Sequence, residues 1–411
     1  MRYNIYMAKY KSKQKNILKG SGSGAKSLLR WTDWPTIVLC MVCSVFGIVM
    51  VHSATFRAAE QVDRAVSGDV VTMVLAVGIG IVAALVMSFI DYEILLRFWY
   101  IIAGVCLLLM LALIPFGVPT EARPDAIRWL ELPGGFFLQP SELLKLGFIL
   151  SFTWHIHLVR DSINKLKNVA LLGGHAMVPF GLVAVTGDLG SALVLMFVTI
   201  GMLFLAGLKL RWFGAILAMA AAAAPIIWFR FIGEFQQNRI LAIWFPNSLP
   251  EDVVTDVMWQ QNQAMIAIGS GQLTGRGLFN GMAAAPGGVP VPESDFIFAV
   301  IGEELGFLGA MAVVLLLAAV IIRLVLVSAR TRNLRARLLC SGAAFMIGSQ
   351  AIINIGVTLR LLPVTGITLP FFSAGGSSNL ALYLTIGLVL TVFRHQNEHE
   401  DTQSYFDYLY S

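Results

Sequence analysis

Three carboxylates, Glu251, Asp252 and Asp256, fall close together in a polar stretch that continues into the amide run Gln260-Gln261-Asn262-Gln263. An aspartate in such a place can act as a general base or hold a divalent metal; ordinary solvated charge is the plainer reading. Other ionisable groups sit inside apolar runs, where they are expensive and count as functional hypotheses. In Gln139-Pro140-Ser141-Glu142-Leu143-Leu144-Lys145, Pro140 suits a helix start and Glu142 stands three residues before Lys145. That pair reads either as a self-neutralised helix end or as a substrate contact. Asp295 opens a run that carries Glu303 and Glu304 two turns deeper. Neighbours on a helix point about 100° apart, so at least one glutamate should be buried, either bonded to loop backbone or acting on substrate. Arg360 precedes a segment dense in proline, glycine and hydroxyl groups that ends in Ser373, Gly375, Gly376 and Ser377. Irregular backbone at membrane depth is tolerated only against protein or a water-filled cavity. Arg360 beside it suits a phosphate or carboxylate, or else snorkels to lipid headgroups.

The elements that must position these groups are membrane helices. Of 411 residues, 57% are hydrophobic and 13% charged, against roughly a quarter charged in soluble domains. With a mean hydropathy of +0.77, the chain reads as an all-α integral membrane protein. A soluble enzyme, a disordered chain and a disulfide scaffold are excluded. Ten segments have the apolar length, approximately 34–52, 70–90, 98–117, 143–159, 169–185, 189–208, 212–229, 296–322, 338–362 and 371–393. Placing the N-terminus inside collects 20 of the 29 basic residues in inner segments, while the acidic residues gather outside. Both termini are therefore expected in the cytoplasm, and the net charge of +5 is a sum over two opposed populations, with no nucleic-acid-binding face. The expected organisation is a basic tail over 1–32, a ten-helix domain over 33–394 and a second cytoplasmic tail over 395–411. One large extracytoplasmic loop, 230–295, separates helices 7 and 8 and is long enough to be functional. Cys40, Cys43, Cys106 and Cys340 all lie in apolar runs and read as packing residues. The first span, with no small-residue cleavage site before it, reads as its own insertion signal.

Several motifs together are specific. The run from Ile266-Ala267-Ile268-Gly269-Ser270-Gly271 to Gly277, the run Ser294-Asp295-Phe296 to Gly302-Glu303-Glu304-Leu305-Gly306, Leu362-Pro363-Val364-Thr365-Gly366 to Phe371, and Gly375-Gly376-Ser377-Ser378 follow in order. With Gln139-Pro140-Ser141-Glu142 and Asp188-Leu189-Gly190, they resemble the FtsW/RodA/SpoVE (SEDS) family. The resemblance implies a ten-span bacterial inner-membrane glycosyltransferase that polymerises lipid II into glycan strands beside a class B penicillin-binding protein. It implies catalysis by an outer-loop aspartate ten residues before a glutamine that matches Gln263. That position is Val253 here; Asp252 fits with a one-residue insertion, Asp256 with a three-residue deletion, and neither is followed by proline. The family's frequent His-Thr-Asp reads Glu293-Ser294-Asp295, and its Pro-Asp-Leu-Gly reads Gly187-Asp188-Leu189-Gly190.

On this resemblance Asp252, or else Asp256, is the expected catalytic base, with Asp252 also the ligand of a divalent cation such as Mg2+ or Mn2+. Glu142, Lys145, Gln263, Arg276, Asp295, Glu303, Arg360, Ser373, Gly375, Gly376 and Ser377 are the expected substrate contacts. The leaving group would be undecaprenyl diphosphate, whose charge suits arginine, backbone N–H groups or a cation. Two other readings stand beside this one: a lipid II flippase using Glu303, Glu304, Glu142, Lys145 and Arg360 as a polar path, and a scaffold that only positions the penicillin-binding protein.

Overall fold

The computed structural model describes residues 32–61, 65–120, 123–132, 136–230, 232–283, 285 and 288–410. The expected basic tail up to residue 31 lies outside the described residues, as do the side chains from 397 onward. Helices α1 (Trp34–Gln61), α2 (Gly68–Met87), α3 (Tyr92–Arg97) and α4 (Trp99–Phe116) lead into three short strands, β1 (Gly117–Thr120), β2 (Arg123–Leu132) and β3 (Phe136–Leu138). Then come α5 (Pro140–Val159), α6 (Leu166–Val185), α7 (Leu189–Leu205) and α8 (Leu210–Arg230). The long loop folds into α9 (Glu234–Trp244) and α10 (Glu251–Gly271). The chain closes with α11 (Ile297–Glu304), α12 (Gly306–Arg330), α13 (Leu334–Thr358) and α14 (Gly376–Tyr410).

All ten expected spans fall on helices. Eight helices are long and apolar enough to cross a membrane; α7, at 17 residues, and α5, which carries Glu142 and Lys145, supply the other two. The membrane domain is all-α as expected, with one small addition between two of its spans. The segment after α4 forms an antiparallel sheet in the order β1-β2-β3, with Leu130 opposite Leu138. Three span boundaries also move. The eighth segment breaks at Leu305 into α11 and α12, where Gly306 takes φ +67° and a Cβ would lie 2.3 Å from the Gly275 nitrogen. The ninth ends at Thr358, and the tenth starts at Gly376, leaving 359–375 as irregular backbone.

Lipid offers no hydrophobic drive between helices, so close contact at small residues must hold them. A Cβ on Gly80 of α2 would come within 2.8 Å of Tyr383 on α14, and one on Gly387 within 3.0 Å of Ala84. At the centre lies α13, with 83% of its apolar window buried, whereas none of the α8 window is. The polar residues of α13, Gln350 and Asn354, are therefore buried and must find partners inside the protein.

Candidate functional site: an open carboxylate face and a buried polar layer

The first polar group is built at the start of α5. Lys145 Nζ lies 2.7 Å from Glu142 Oε1, and both residues are buried. Gln350 of α13 donates to Glu142 Oε2 at 3.5 Å. One turn away, Asp188 caps α7 by accepting the Ser191 N–H, and its other oxygen accepts from Ser141 at 2.7 Å and Gln139 at 2.9 Å. Asp188 is fully buried, yet the nearby Arg128 charge and these hydrogen bonds outweigh the burial and hold its carboxyl below the usual range. Arg128, on β2, donates to the carbonyls of Gly187 and Thr365 and so ties the small sheet to the membrane domain.

The second group surrounds the α11–α12 break. Both glutamates are buried, and they face different partners. Glu303 accepts backbone N–H groups from Met282 at 2.9 Å and Ala283 at 2.7 Å, and Arg276 lies 3.4 Å away. Glu304 accepts the Ser53 hydroxyl of α1 at 2.6 Å, and Ser53 in turn accepts the Phe279 N–H. The segment after α10 is thus pinned on three sides.

The third group satisfies the irregular backbone of 359–375. Ser373 accepts the Leu369 N–H and donates to the Ser294 carbonyl, while Asn354 donates to the carbonyls of Asp295 and Ile367. Asp295 itself is half-buried and accepts the Ser294 hydroxyl. Ser377 accepts the Gln139 N–H, which joins this segment to the first group. Gly376 starts α14, and Gly375 carries a carbonyl that accepts from Ser378 and Asn379.

Against these stands α10. Residues 252, 256, 259, 263, 266 and 270 recur at helical spacing and form one face, while Met258, Gln261, Ala264, Ala267 and Gly271 are buried. Gln261 fastens the buried face by donating to the carbonyls of Val357 and Leu362. On the other face Glu251, Asp252, Thr255, Asp256 and Trp259 line an open recess. Asp252 and Asp256 are exposed and make no ion pair or side-chain hydrogen bond among the described residues. Gln263 lies two turns further along, half-buried. Arg360, exposed at φ +59°, reaches the buried edge of α10 with Nη2 3.6 Å from Met258 Sδ.

The structure therefore brings Asp252, Asp256 and Gln263 onto one face and sets Glu142, Lys145, Glu303, Ser373 and Ser377 into buried bonding roles. Sequence reasoning missed Arg128, Gln350, Ser53 and Asn354. None had a local signal, since each meets its partner through chain segments far apart in the sequence, such as Arg128 with Gly187. Among the described residues no group of three or more His, Cys, Asp or Glu is arranged to hold a metal.

The profile of the FtsW/RodA/SpoVE family, described as cell cycle proteins, matches residues 33–398. The chain is 30% identical to peptidoglycan glycosyltransferase MrdB of Escherichia coli K12 over 367 residues, covering 88% of this chain and 94% of that one. It is 33% identical to the probable peptidoglycan glycosyltransferase FtsW of Trichlorobacter lovleyi over 369 residues, with coverage of 88% and 94%. Among solved structures, it superposes on a chain of a peptidoglycan synthase complex that coordinates polymerization and crosslinking, with TM-score 0.71, 28% identity and coverage of 88% and 98%. The rod shape determining protein RodA of Thermus thermophilus gives TM-score 0.64 at 27% identity, with coverage of 88% and 97%. With the family profile spanning most of the chain and relatives of 30% and 33% identity matched over nearly their whole length, this chain belongs to the FtsW/RodA/SpoVE family.

Proposed function

We propose that this multi-pass membrane protein is a peptidoglycan glycosyltransferase that polymerises lipid II, with its reaction at the exposed face of α10. The observation that carries this reading is the contrast in engagement: Asp252 and Asp256 have no bonding partner among the described residues and stand beside an open recess, whereas Glu142, Asp188, Glu303 and Glu304 are held by partners. The named relatives supply the reaction class.

In the proposed step, a hydroxyl of the acceptor sugar attacks the anomeric carbon of the donor, with inversion, as the bond to the undecaprenyl diphosphate oxygen breaks. Asp252, or Asp256 one turn on, accepts the hydroxyl proton, a role worth roughly two to four orders of magnitude in rate. Arg360, exposed and in contact with Met258 of α10, is the guanidinium group offered to the departing diphosphate, whereas Arg276 lies past the far end of α10 beside Glu303. Two carboxylates one turn apart, without a third protein ligand among the described residues, fit an ion such as Mg2+ that keeps several waters and is completed by phosphate. Held by whichever of Asp252 and Asp256 does not take the proton, such an ion would neutralise charge on the leaving diphosphate.

The basic bias of the opposite loops supports an orientation with both termini cytoplasmic and α10 on the outer face of the bacterial cytoplasmic membrane. A class B penicillin-binding protein is the expected partner, a reading supported by the superposition on a chain of a peptidoglycan synthase complex that coordinates polymerization and crosslinking. The test is polymerisation of lipid II by the purified chain, with Asp252→Asn, Asp256→Asn and the double variant. Full activity in the double variant would sink the α10 mechanism; headgroup translocation in vesicles without any polymer would favour the flippase instead.

A further inference from the structure

Trp259 is the one large apolar side chain lining the α10 recess. It is 41% exposed, it makes no ring contact and no indole hydrogen bond among the described residues, and it contributes nothing to the packed core. Met258, its neighbour, takes the core position at 1% exposure, so the helix already has its packing residue at this turn. An indole left open in this way is available to a ligand or to lipid. Its position decides between them: the ring stands one turn from Asp256 and two from Asp252, and it shares the recess with both carboxylates and Thr255. A recess that joins acidic groups and a hydroxyl with an open aromatic ring suits a sugar ring. Its C–H groups carry partial positive charge and meet the electron-rich indole face, while its hydroxyls meet the oxygen acceptors.

We infer that Trp259 is a stacking platform that positions a pyranose ring of the glycan substrate against the α10 carboxylates. This rests on the glycosyltransferase reading and adds to it a sugar-contacting residue on the same face. Two turns from Asp252, the ring would fix the plane of the sugar whose hydroxyl or anomeric carbon must face the carboxylate. Such orientation is the part of catalysis that a lone aspartate lacks.

The test compares Trp259→Leu with Trp259→Phe in the full chain in nanodiscs, using two probes: lipid II, and undecaprenyl diphosphate, which lacks the sugars. Stacking predicts that Trp259→Leu weakens equilibrium binding of lipid II by about fivefold to tenfold, while Trp259→Phe retains most of it. Undecaprenyl diphosphate should bind both variants as it binds the unaltered chain. In polymerisation, KM should rise more than kcat falls. Wild-type lipid II affinity in Trp259→Leu overturns the inference. So does equal weakening for both probes, which would mark a membrane-interface anchor or a packing role. Because binding is read separately from polymer, a chain that makes no polymer but still shows the sugar-dependent loss would overturn the enzyme reading and leave the platform standing.

Discussion

The buried polar layer at the start of α5 and the open face of α10 use the same residue types to opposite ends. In the layer, buried Glu142 pairs with Lys145 and accepts from Gln350, and buried Asp188 accepts from Gln139, Ser141 and Ser191. On α10, Asp252 and Asp256 face a recess with no partner at all among the described residues. A carboxylate locked by donors has its lone pairs occupied and its charge compensated, so it holds helices together. One left open keeps its lone pairs for a substrate proton or a cation.

That comparison breaks most readily on activity. The double change Asp252→Asn with Asp256→Asn should lower polymerisation by two to four orders of magnitude, while the thermal midpoint of the purified protein stays unchanged. A large drop in midpoint would mean that the α10 face is structural too. The reverse holds inside: Lys145→Met leaves Glu142 buried without its counter-charge and should cost about 3–5 kcal/mol of stability, read by denaturation. Changing both at once, to Glu142→Gln with Lys145→Met, should recover much of that loss. Next comes the loop pinned behind α10. Gly275 has φ +80°, and a Cβ there would sit 2.1 Å from the Glu304 carbonyl oxygen, so Gly275→Ala should cost about 1–3 kcal/mol and loosen the segment that follows α10, visible as faster amide exchange.

The smallest effect is a pH dependence confined to the layer. Asp188 is held below its ordinary value of 3.8, so its stabilisation is fully present above that value and is lost as pH falls through the lower folded-state value. Midpoints measured below about pH 4 should therefore fall more steeply for the unaltered chain than for Asp188→Asn. Equal slopes would show that Arg128 and the hydroxyl donors do not hold the ionised form.

Much of the fold was legible because a bilayer imposes length and composition on each span. The apolar runs placed all ten crossing segments, even the short Leu189–Leu205, and the excess of proline and glycine after Arg360 foretold irregular backbone there. The sheet after α4 was not legible, since its strands are short and pair only with one another. The sites divide in the same way. Spacing alone placed Asp252, Asp256 and Gln263 on a common stretch, and helical periodicity is a local property. Arg128 and Gln350 carried no such signal, because Arg128 meets Thr365, and Gln350 meets Glu142, across segments that only packing brings together.

By itself, then, the sequence determined that the chain crosses a membrane repeatedly, where its charges gather, and which family motifs it carries. These follow from residue type and local spacing, which act before any long-range contact forms. Only the tertiary structure decided which ionisable groups are engaged and which are open. The difference between Glu303 and Asp252 is not one of chemistry. It is set by whether Met282, Ala283 and Arg276 arrive to bind one carboxylate while nothing among the described residues arrives to bind the other.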